Sequence, residues 1–213
     1  PLTEAGDMTE KWAIIRDTIA KFFPVHDVPV ENDEARSYGT VPIEHSASLF
    51  DVLPAVAARC MEGETPLSFE ALDTDYGYVH YKKTTKGGDV LLDSQPLRGF
   101  VMCVMPLKSV SPIPILGAAS VAPLTFHRAT FKVDKAANTY LNPTGFKKGV
   151  AFVNGYNLGR YWTVGPQLTL FVPATLLNEG ENEVILFEAE GNDGSLALSF
   201  DDKPQIDILF PVS

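Results

Sequence analysis

Residues 147–191 read KKGVAFVNGYNLGRYWTVGPQLTLFVPATLLNEGENEVILFEAEG. This stretch decides the fold class, because it holds three short runs rich in β-branched and aromatic residues: GVAFVNG, LTLFVP and EVILFEAEG. Turn-forming residues separate the runs, as at Asn154-Gly155 and Asn178-Glu179-Gly180. Three further runs continue the pattern after Pro123: FHRATFKV, LALSF and IDILF. Short strands at this spacing predict a mainly β chain in which residues 123–213 form an antiparallel jelly roll or β-sandwich.

The N-terminal segment predicts one amphipathic helix. Asp7-x-x-Glu10 has the form of a capping box, Thr9 is an alternative N-cap, and Pro24 ends the helix. Its apolar stripe has helical spacing: Trp12, Ile15, Ile19 and Phe22. Because an isolated helix of this length is marginal in water, we expect the stripe to pack against another body. Residues 1–45 are thus assigned to this helix and an acidic, Pro-containing connector.

Residues 46–122 predict a partial, atypical first β-region. Segment 46–60 has apolar positions that suit a helix, but Pro54 would break one. The run YGYVHYKKT, from Tyr76, alternates in the manner of a strand. Proline interrupts each apolar stretch of 83–122, where only VLLD and FVMCVM resemble strands. We expect that segment to be irregular or poorly packed.

Composition excludes two classes of partner. The net charge is −10, from 17 basic and 27 acidic residues among 213. Phosphate backbones and anionic lipid surfaces are bound by clustered Lys and Arg, so we expect no nucleic-acid partner and no membrane partner. No uninterrupted apolar run approaches the length that spans a bilayer.

The cysteines and histidines give no metal or cofactor signature. Cys60 and Cys103 lie among apolar residues, so buried free thiols are the default, and one disulfide is an open alternative. The four histidines lack metal-ligand spacing, and we expect no metal and no cofactor. Asn142-Pro-Thr144 is not a glycosylation acceptor, because proline occupies the middle position. These features favour a cytoplasmic location, with lysosomal or secreted locations left open.

Carboxylates are the candidates for acid/base chemistry. Glycoside hydrolysis needs two of them facing each other across the scissile bond. Glu188 and Glu190 are two residues apart on a predicted strand and so share one face. Charge on a solvated strand edge explains this spacing better than catalysis does, and we assign neither residue a catalytic role.

An aromatic cluster offers a second chemistry. Tyr156, Tyr161 and Trp162 surround Arg160. Aromatic rings stack on sugar faces and guanidinium groups bond to hydroxyls, so these four residues form a candidate sugar-binding site. The alternative, which we favour, is that Trp162 and one tyrosine fill the sandwich core while Arg160 stacks on them.

Three stretches resemble glycoside hydrolase family 35 β-galactosidases. The run KGVAFVNGYNLGRYWTVGPQLTLFVP, followed by LLNEGENEVILFEAEG, resembles their C-terminal jelly-roll domain. PLTEAGDMTEKWAIIRDTI resembles the start of their last barrel helix, and PLSFEALDTDYGYVHYK resembles the passage into their first β-domain. The resemblance covers residues 1–23, 46–82 and 123–191. It fails in 83–122, which is shorter than the matching part of the family and lacks its pattern.

The resemblance implies a parent enzyme that removes terminal β-linked galactose with retention, using two glutamates in an N-terminal (β/α)₈ barrel. Neither glutamate maps onto a residue here, so we assign no catalytic residue to this chain. The implied role is a non-catalytic β-region that supports the barrel, in cis or in trans, with a galactoside as a possible ligand. A freestanding carbohydrate-binding sandwich and a truncated product without a ligand are the alternatives.

Overall fold

A computed structural model describes residues 2–26, 33–83, 100–108 and 113–206. The helices of this part are α1 (Glu10–Ala20), α2 (Leu49–Val56) and a single 3-10 turn (Ala174–Leu176). Its strands are β1 (Gly39–Pro42), β2 (His45–Ser48), β3 (Arg59–Gly63), β4 (Tyr78–Lys83), β5 (Phe100–Met105), β6 (Thr125–Val133), β7 (Thr139–Asn142), β8 (Lys148–Val153), β9 (Tyr156–Trp162), β10 (Leu170–Val172), β11 (Gly180–Glu188) and β12 (Ala197–Asp201). Five of the six runs from which the sandwich was predicted are β6, β8, β10, β11 and β12. Of the sixth, IDILF, only Ile206 is described.

Two antiparallel sheets form a sandwich. One has the strand order β1-β12-β7-β10 and the other β2-β6-β11-β8-β9. Strand β11 pairs along its whole length with β6, from Gly180 opposite Val133 to Glu188 opposite Thr125. The mainly β, galactose-binding-domain-like fold predicted from the sequence is confirmed.

The main core lies between the two sheets. It is formed by side chains from alternate positions of each strand, as expected for a sandwich. Phe131 of β6 stacks on Phe200 of β12 with ring centroids 4.1 Å apart. Leu141, Val172 and Val184 complete the centre of this core and are fully buried.

The five-stranded sheet is buried on its other face as well. Phe126, Val150, Phe152 and Phe187 point away from the main core and pack against α2 and the end of β5. Burial on both faces explains why β11 carries a continuous apolar run rather than an alternating one.

Helix α2 resolves the ambiguous segment. Ser48 caps it by accepting a hydrogen bond from the Phe50 amide, and Leu49 and Val52 are buried. Pro54 lies inside the helix, contrary to the expectation that it would break one. It removes one backbone donor, and the helix ends two residues later at Val56, so only one intrahelical bond is lost.

A third, smaller sheet has the order β3-β5-β4. Phe100, Met102 and Val104 of β5 are buried beneath Leu72, which is itself fully buried. The expectation of poor packing in 83–122 is therefore wrong for 100–107. Residues 84–99, including VLLD, and residues 109–112 lie outside the described part.

The sandwich begins earlier in the chain than residue 123. Strand β1 pairs with β12, and β2 pairs with β6, where Ser48 lies opposite Thr125. Residues 39–48, which the sequence analysis divided between a connector and a first β-region, belong to the sandwich. Strand β1 has two β-branched residues and β2 has none, so neither four-residue strand gave a detectable signal in the sequence.

Helix α1 forms as expected but packs little on the rest of the chain. Thr9 is its N-cap and accepts from the Trp12 amide. None of its residues is buried, and Ile15 and Ile19 are 43% and 44% exposed. The described part of the chain contains no helix that is both long and apolar enough to span a membrane.

The cysteines form a disulfide. Cys60 of β3 and Cys103 of β5 lie directly opposite each other and are bonded, which corrects the expectation of free thiols. The separation of 43 residues concealed the pairing. The disulfide removes one of the two observations that favoured a reducing compartment, namely that both cysteines are free thiols.

Candidate saccharide cleft and buried carboxylate

The hairpin β8–β9 positions all four predicted sugar-binding residues. Its turn, Asn154-Gly155, has positive φ values of 49° and 79°, as the sequence predicted. The Asn154 side chain donates to the Leu176 carbonyl (2.7 Å) and accepts from the Glu183 amide (2.9 Å), which fixes the turn to the adjacent chain. Strand β9 lies at the edge of the five-stranded sheet.

Tyr161 lies in the main core and is 2% exposed. Its hydroxyl donates to Glu188 Oε2 at 3.0 Å, with the Phe187 carbonyl 3.1 Å away. Burial, followed by the nearby Glu188 charge, raises the pKa of the Tyr161 hydroxyl above its ordinary value. The proposed use of this ring as an open stacking surface is wrong. Its face is covered by the sandwich.

Glu188 is completely buried at the end of β11. Its carboxylate accepts from the backbone amides of Lys147 (2.8 Å), Lys148 (3.3 Å) and Glu190 (2.7 Å), besides the Tyr161 hydroxyl. A buried carboxylate is tolerated when donors surround it in this way. Both carboxylate oxygens accept hydrogen bonds, so Glu188 is a structural anchor and does not lie on a solvated edge.

Glu190 has the opposite environment. Its side chain is 51% exposed, and its carboxylate lies 3.8 Å from Lys148 Nζ. The two glutamates therefore do not face a common space in which a glycosidic bond would fit. That neither residue is catalytic stays a prediction.

Arg160 and Trp162 share the outer face of β9. The Arg160 guanidinium carbon lies 4.9 Å from the Trp162 ring centroid, and Lys148 Nζ lies 5.4 Å from it. Arg160 is exposed and Trp162 is half-buried. Both cations already contact the ring, so a sugar would bind beside them or displace one of them.

Tyr156 does not join this group. It is 57% exposed at the tip of the hairpin and lies opposite Val153, whose side chain is in the main core. Arg160 lies opposite Val150, whose side chain is on the outer face. Tyr156 and Arg160 consequently project on opposite faces of the sheet, and the four residues do not form one platform.

A cleft of about 220 Å³ opens beside Trp162. Its lining comes from the β7–β8 loop, the end of β9 and the chain that follows: Pro143, Thr144, Gly145, Phe146, Tyr161, Trp162, Thr163 and Leu168. Pockets for drug-sized ligands measure roughly 300–1,000 Å³, so this cleft can take only a smaller ligand. The hydroxyls of Thr144 and Thr163 were missed from the sequence, because no local motif links the β7–β8 loop to the end of β9.

His127 and Ser46 are a second buried polar pair. Ser46 Oγ lies 2.9 Å from His127 Nδ1, and His127 Nε2 has no partner among the described residues. Burial lowers the pKa of His127 from 6.5 to about 4, so the ring is neutral near pH 7. No group of His, Cys, Asp or Glu residues in the described part is arranged to hold a metal ion.

Comparison with known proteins shows what the chain is similar to. Residues 124–182, from β6 to the start of β11, match the family described as beta-galactosidase, galactose-binding domain. The beta-galactosidase of Xanthomonas manihotis is 27% identical over 246 residues, covering 80% of this chain and 40% of the relative. Beta-galactosidase-1-like protein 2 of Homo sapiens is 34% identical over 152 residues, covering 62% of this chain and 23% of the relative. The chain is similar to glycoside hydrolase family 35 β-galactosidases over most of its length.

The similarity supports a C-terminal fragment of a β-galactosidase, as the resemblance predicted. The chain spans less than half the length of the relatives it matches. The alignment to the Xanthomonas manihotis protein runs over 246 positions although it includes only 80% of the 213 residues. The relative therefore has residues for which this chain has no counterpart.

Proposed function

We propose that this chain is a non-catalytic β-region of a β-galactosidase and that it supports a catalytic barrel. The observation that carries the proposal is the environment of Glu188. This buried carboxylate is surrounded by structural donors and has no acidic partner across a cleft. Retaining hydrolysis needs two carboxylates about 5–5.5 Å apart around the sugar, and Glu188 and Glu190 do not provide that arrangement.

Helix α1 supports the same proposal. The helix presents Ile15 and Ile19 to solvent, and the turn that follows it presents Phe22; these residues are 43%, 44% and 75% exposed. An apolar stripe of this kind on a short helix marks a surface that another body covers. We propose that this body is the barrel, since the matched relatives are more than twice as long as the part they share with this chain.

Turnover of a chromogenic β-galactoside by the purified chain tests the proposal that the chain is non-catalytic. We expect no activity above that of the buffer. Activity that co-purifies with the chain and disappears in Glu188→Gln at a temperature where that variant is folded would overturn the proposal. Glu190→Gln is the matched control, because it removes the exposed member of the pair.

We propose sugar binding in the Trp162 cleft as a second function. The cleft can take only a small ligand and contains an aromatic ring with threonine hydroxyls beside it. Together with the galactose-binding description of the matching family, these features favour a β-galactoside as ligand.

Calorimetry with methyl β-galactoside tests this second function. We expect millimolar affinity that is lost in Trp162→Leu and retained in Tyr156→Leu, since Tyr156 is exposed but lies outside the cleft. Equal affinities for the two variants would contradict sugar binding in the cleft beside Trp162.

A further inference from the structure

The disulfide belongs to a row of three side chains across the third sheet. Cys60 of β3 lies opposite Cys103 of β5, and His80 of β4 lies opposite the same Cys103. Directly opposite residues of an antiparallel sheet share one face and have Cβ atoms about 4.5–5.5 Å apart. The His80 side chain therefore lies on the same face of the sheet as the disulfide, beside Cys103 on the side away from Cys60.

The two sulfurs differ in access to solvent. Cys60 is exposed, and its strand β3 is an edge strand that pairs only with β5 among the described strands. Cys103 is 4% exposed in the central strand. His80 is half-buried, with its ring edge against Phe50 of α2 at a centroid distance of 5.6 Å. An incoming thiolate thus meets the Cys60 sulfur first.

We propose that Cys60 is a site of reversible thiol–disulfide exchange with a small-molecule thiol, and that His80 assists the exchange. The thiolate attacks Cys60 Sγ and forms a mixed disulfide, while the Cys60–Cys103 bond breaks and its electron pair goes to Cys103 Sγ. Solvent then protonates the Cys103 thiolate, and an N–H of the His80 imidazole stabilises the thiolate by donating a hydrogen bond while the negative charge is present. A second thiol then attacks the mixed disulfide, releases the Cys60 thiol and leaves as an oxidised disulfide.

Besides the disulfide, β3 is held by its pairing with β5 and by the Arg59 guanidinium, which donates to the Leu72 and Asp73 carbonyls. Met61 is the only β3 residue that contributes to the small core under the third sheet, where it is partly buried. The rest of that core comes from Phe100, Met102, Val104 and Leu72. Breaking the covalent tie removes a constraint from β3 and leaves the sandwich, which has its own core, intact.

Mass spectrometry of the native chain tests the proposal. The full chain is incubated with millimolar glutathione at neutral pH, quenched with iodoacetamide and digested. We expect glutathione on Cys60 and the alkyl group on Cys103. Hydrogen exchange of the reduced chain is expected to rise in residues 59–63 and to stay unchanged in β6 and β11.

Two histidine variants test the role of the imidazole. Exchange depends on the pKa of the leaving thiol, and His80→Gln removes the group that stabilises the Cys103 thiolate, so we expect a rate about threefold lower. His45→Gln is the control, because His45 is on β2 in the other sheet. Equal rates for the two variants would refute the role of His80. A bond that resists glutathione until denaturant is added, or an adduct on Cys103, would refute the exchange site itself.

Discussion

Replacing Glu188 by glutamine tests whether the buried carboxylate anchors the sandwich. The glutamine amide keeps the size of the side chain, but its NH₂ group replaces a carboxylate oxygen that accepts hydrogen bonds from backbone amides. Lys147 N, at 2.8 Å, and Lys148 N, at 3.3 Å, would then face another donor instead of a carboxylate oxygen. The Glu190 amide, which bonds the other oxygen, retains a neutral acceptor. The Tyr161 hydroxyl bonds the same oxygen as the two lysine amides, so it would also face the NH₂ group and would keep only the Phe187 carbonyl as an acceptor.

The magnitude follows from those contacts. A hydrogen bond to a charged group contributes about 1.5–3 kcal/mol, and the backbone amides of Lys147 and Lys148 lose such an acceptor. The lower desolvation cost of the neutral amide offsets part of this loss. We therefore expect the free energy of unfolding to fall by about 3 kcal/mol, which for a chain of this size corresponds to a Tm about 6–12 °C lower.

Thermal unfolding followed by circular dichroism measures the effect, with Glu190→Gln as the matched variant. Glu190 is half-exposed and its contact with Lys148 is 3.8 Å, so the control is expected to lose less than about 1 kcal/mol. The two melting curves should therefore be well separated. Overlapping curves would mean that Glu188 does not anchor β11 to the β7–β8 loop, and the argument for its structural role would fail.

Three further changes test other parts of the structure. Gly149→Ala should lower the free energy of unfolding by about 1–3 kcal/mol, because the added methyl group would overlap the Phe187 carbonyl and lie 2.7 Å from the Tyr161 hydroxyl. A urea titration measures this loss, and an unchanged midpoint would contradict the packing around Tyr161. His127 has a folded pKa of about 4, below its unfolded value of 6.5, so stability is full above pH 6.5 and falls by about 3 kcal/mol as the pH drops to 4. Unfolding measured against pH should show this loss in the parent chain and a flatter profile in His127→Gln. Ile19→Ser should change stability by less than about 0.5 kcal/mol, since Ile19 is 44% exposed, and a larger loss would show that α1 packs on this chain rather than on another body.

The sequence predicted the long strands well because their signals are local. Strands β6, β8 and β11 combine β-branched and aromatic residues with clear turns, and the positive φ of Asn154 follows from its Asn-Gly turn. The short strands β1 and β2 were missed, because four residues give too little periodicity and their partners lie more than 75 positions along the chain.

The site was harder to predict because its contacts are distant in sequence. Tyr161 and Glu188 are 27 residues apart, and only the register of β8 between β9 and β11 shows that they meet. The bulge between Ala151 and Phe152 changes which β9 residues share a face, so Tyr156 was wrongly grouped with Arg160. The cysteine pair likewise depended on the pairing of β3 with β5.

The pairing of Ser48 with Thr125 has a consequence for the length of chain that can lie between them. The chain leaves the sandwich after Ser48 and returns at Thr125, and these two positions are side by side in the sheet. The residues between them form an insert whose two ends are already held together. Lengthening this insert outside α2 and β5, which cover the five-stranded sheet, costs the sandwich little, because loop-closure entropy rises slowly with length. One scaffold can thus carry inserts of very different size at this junction while keeping its own strand order.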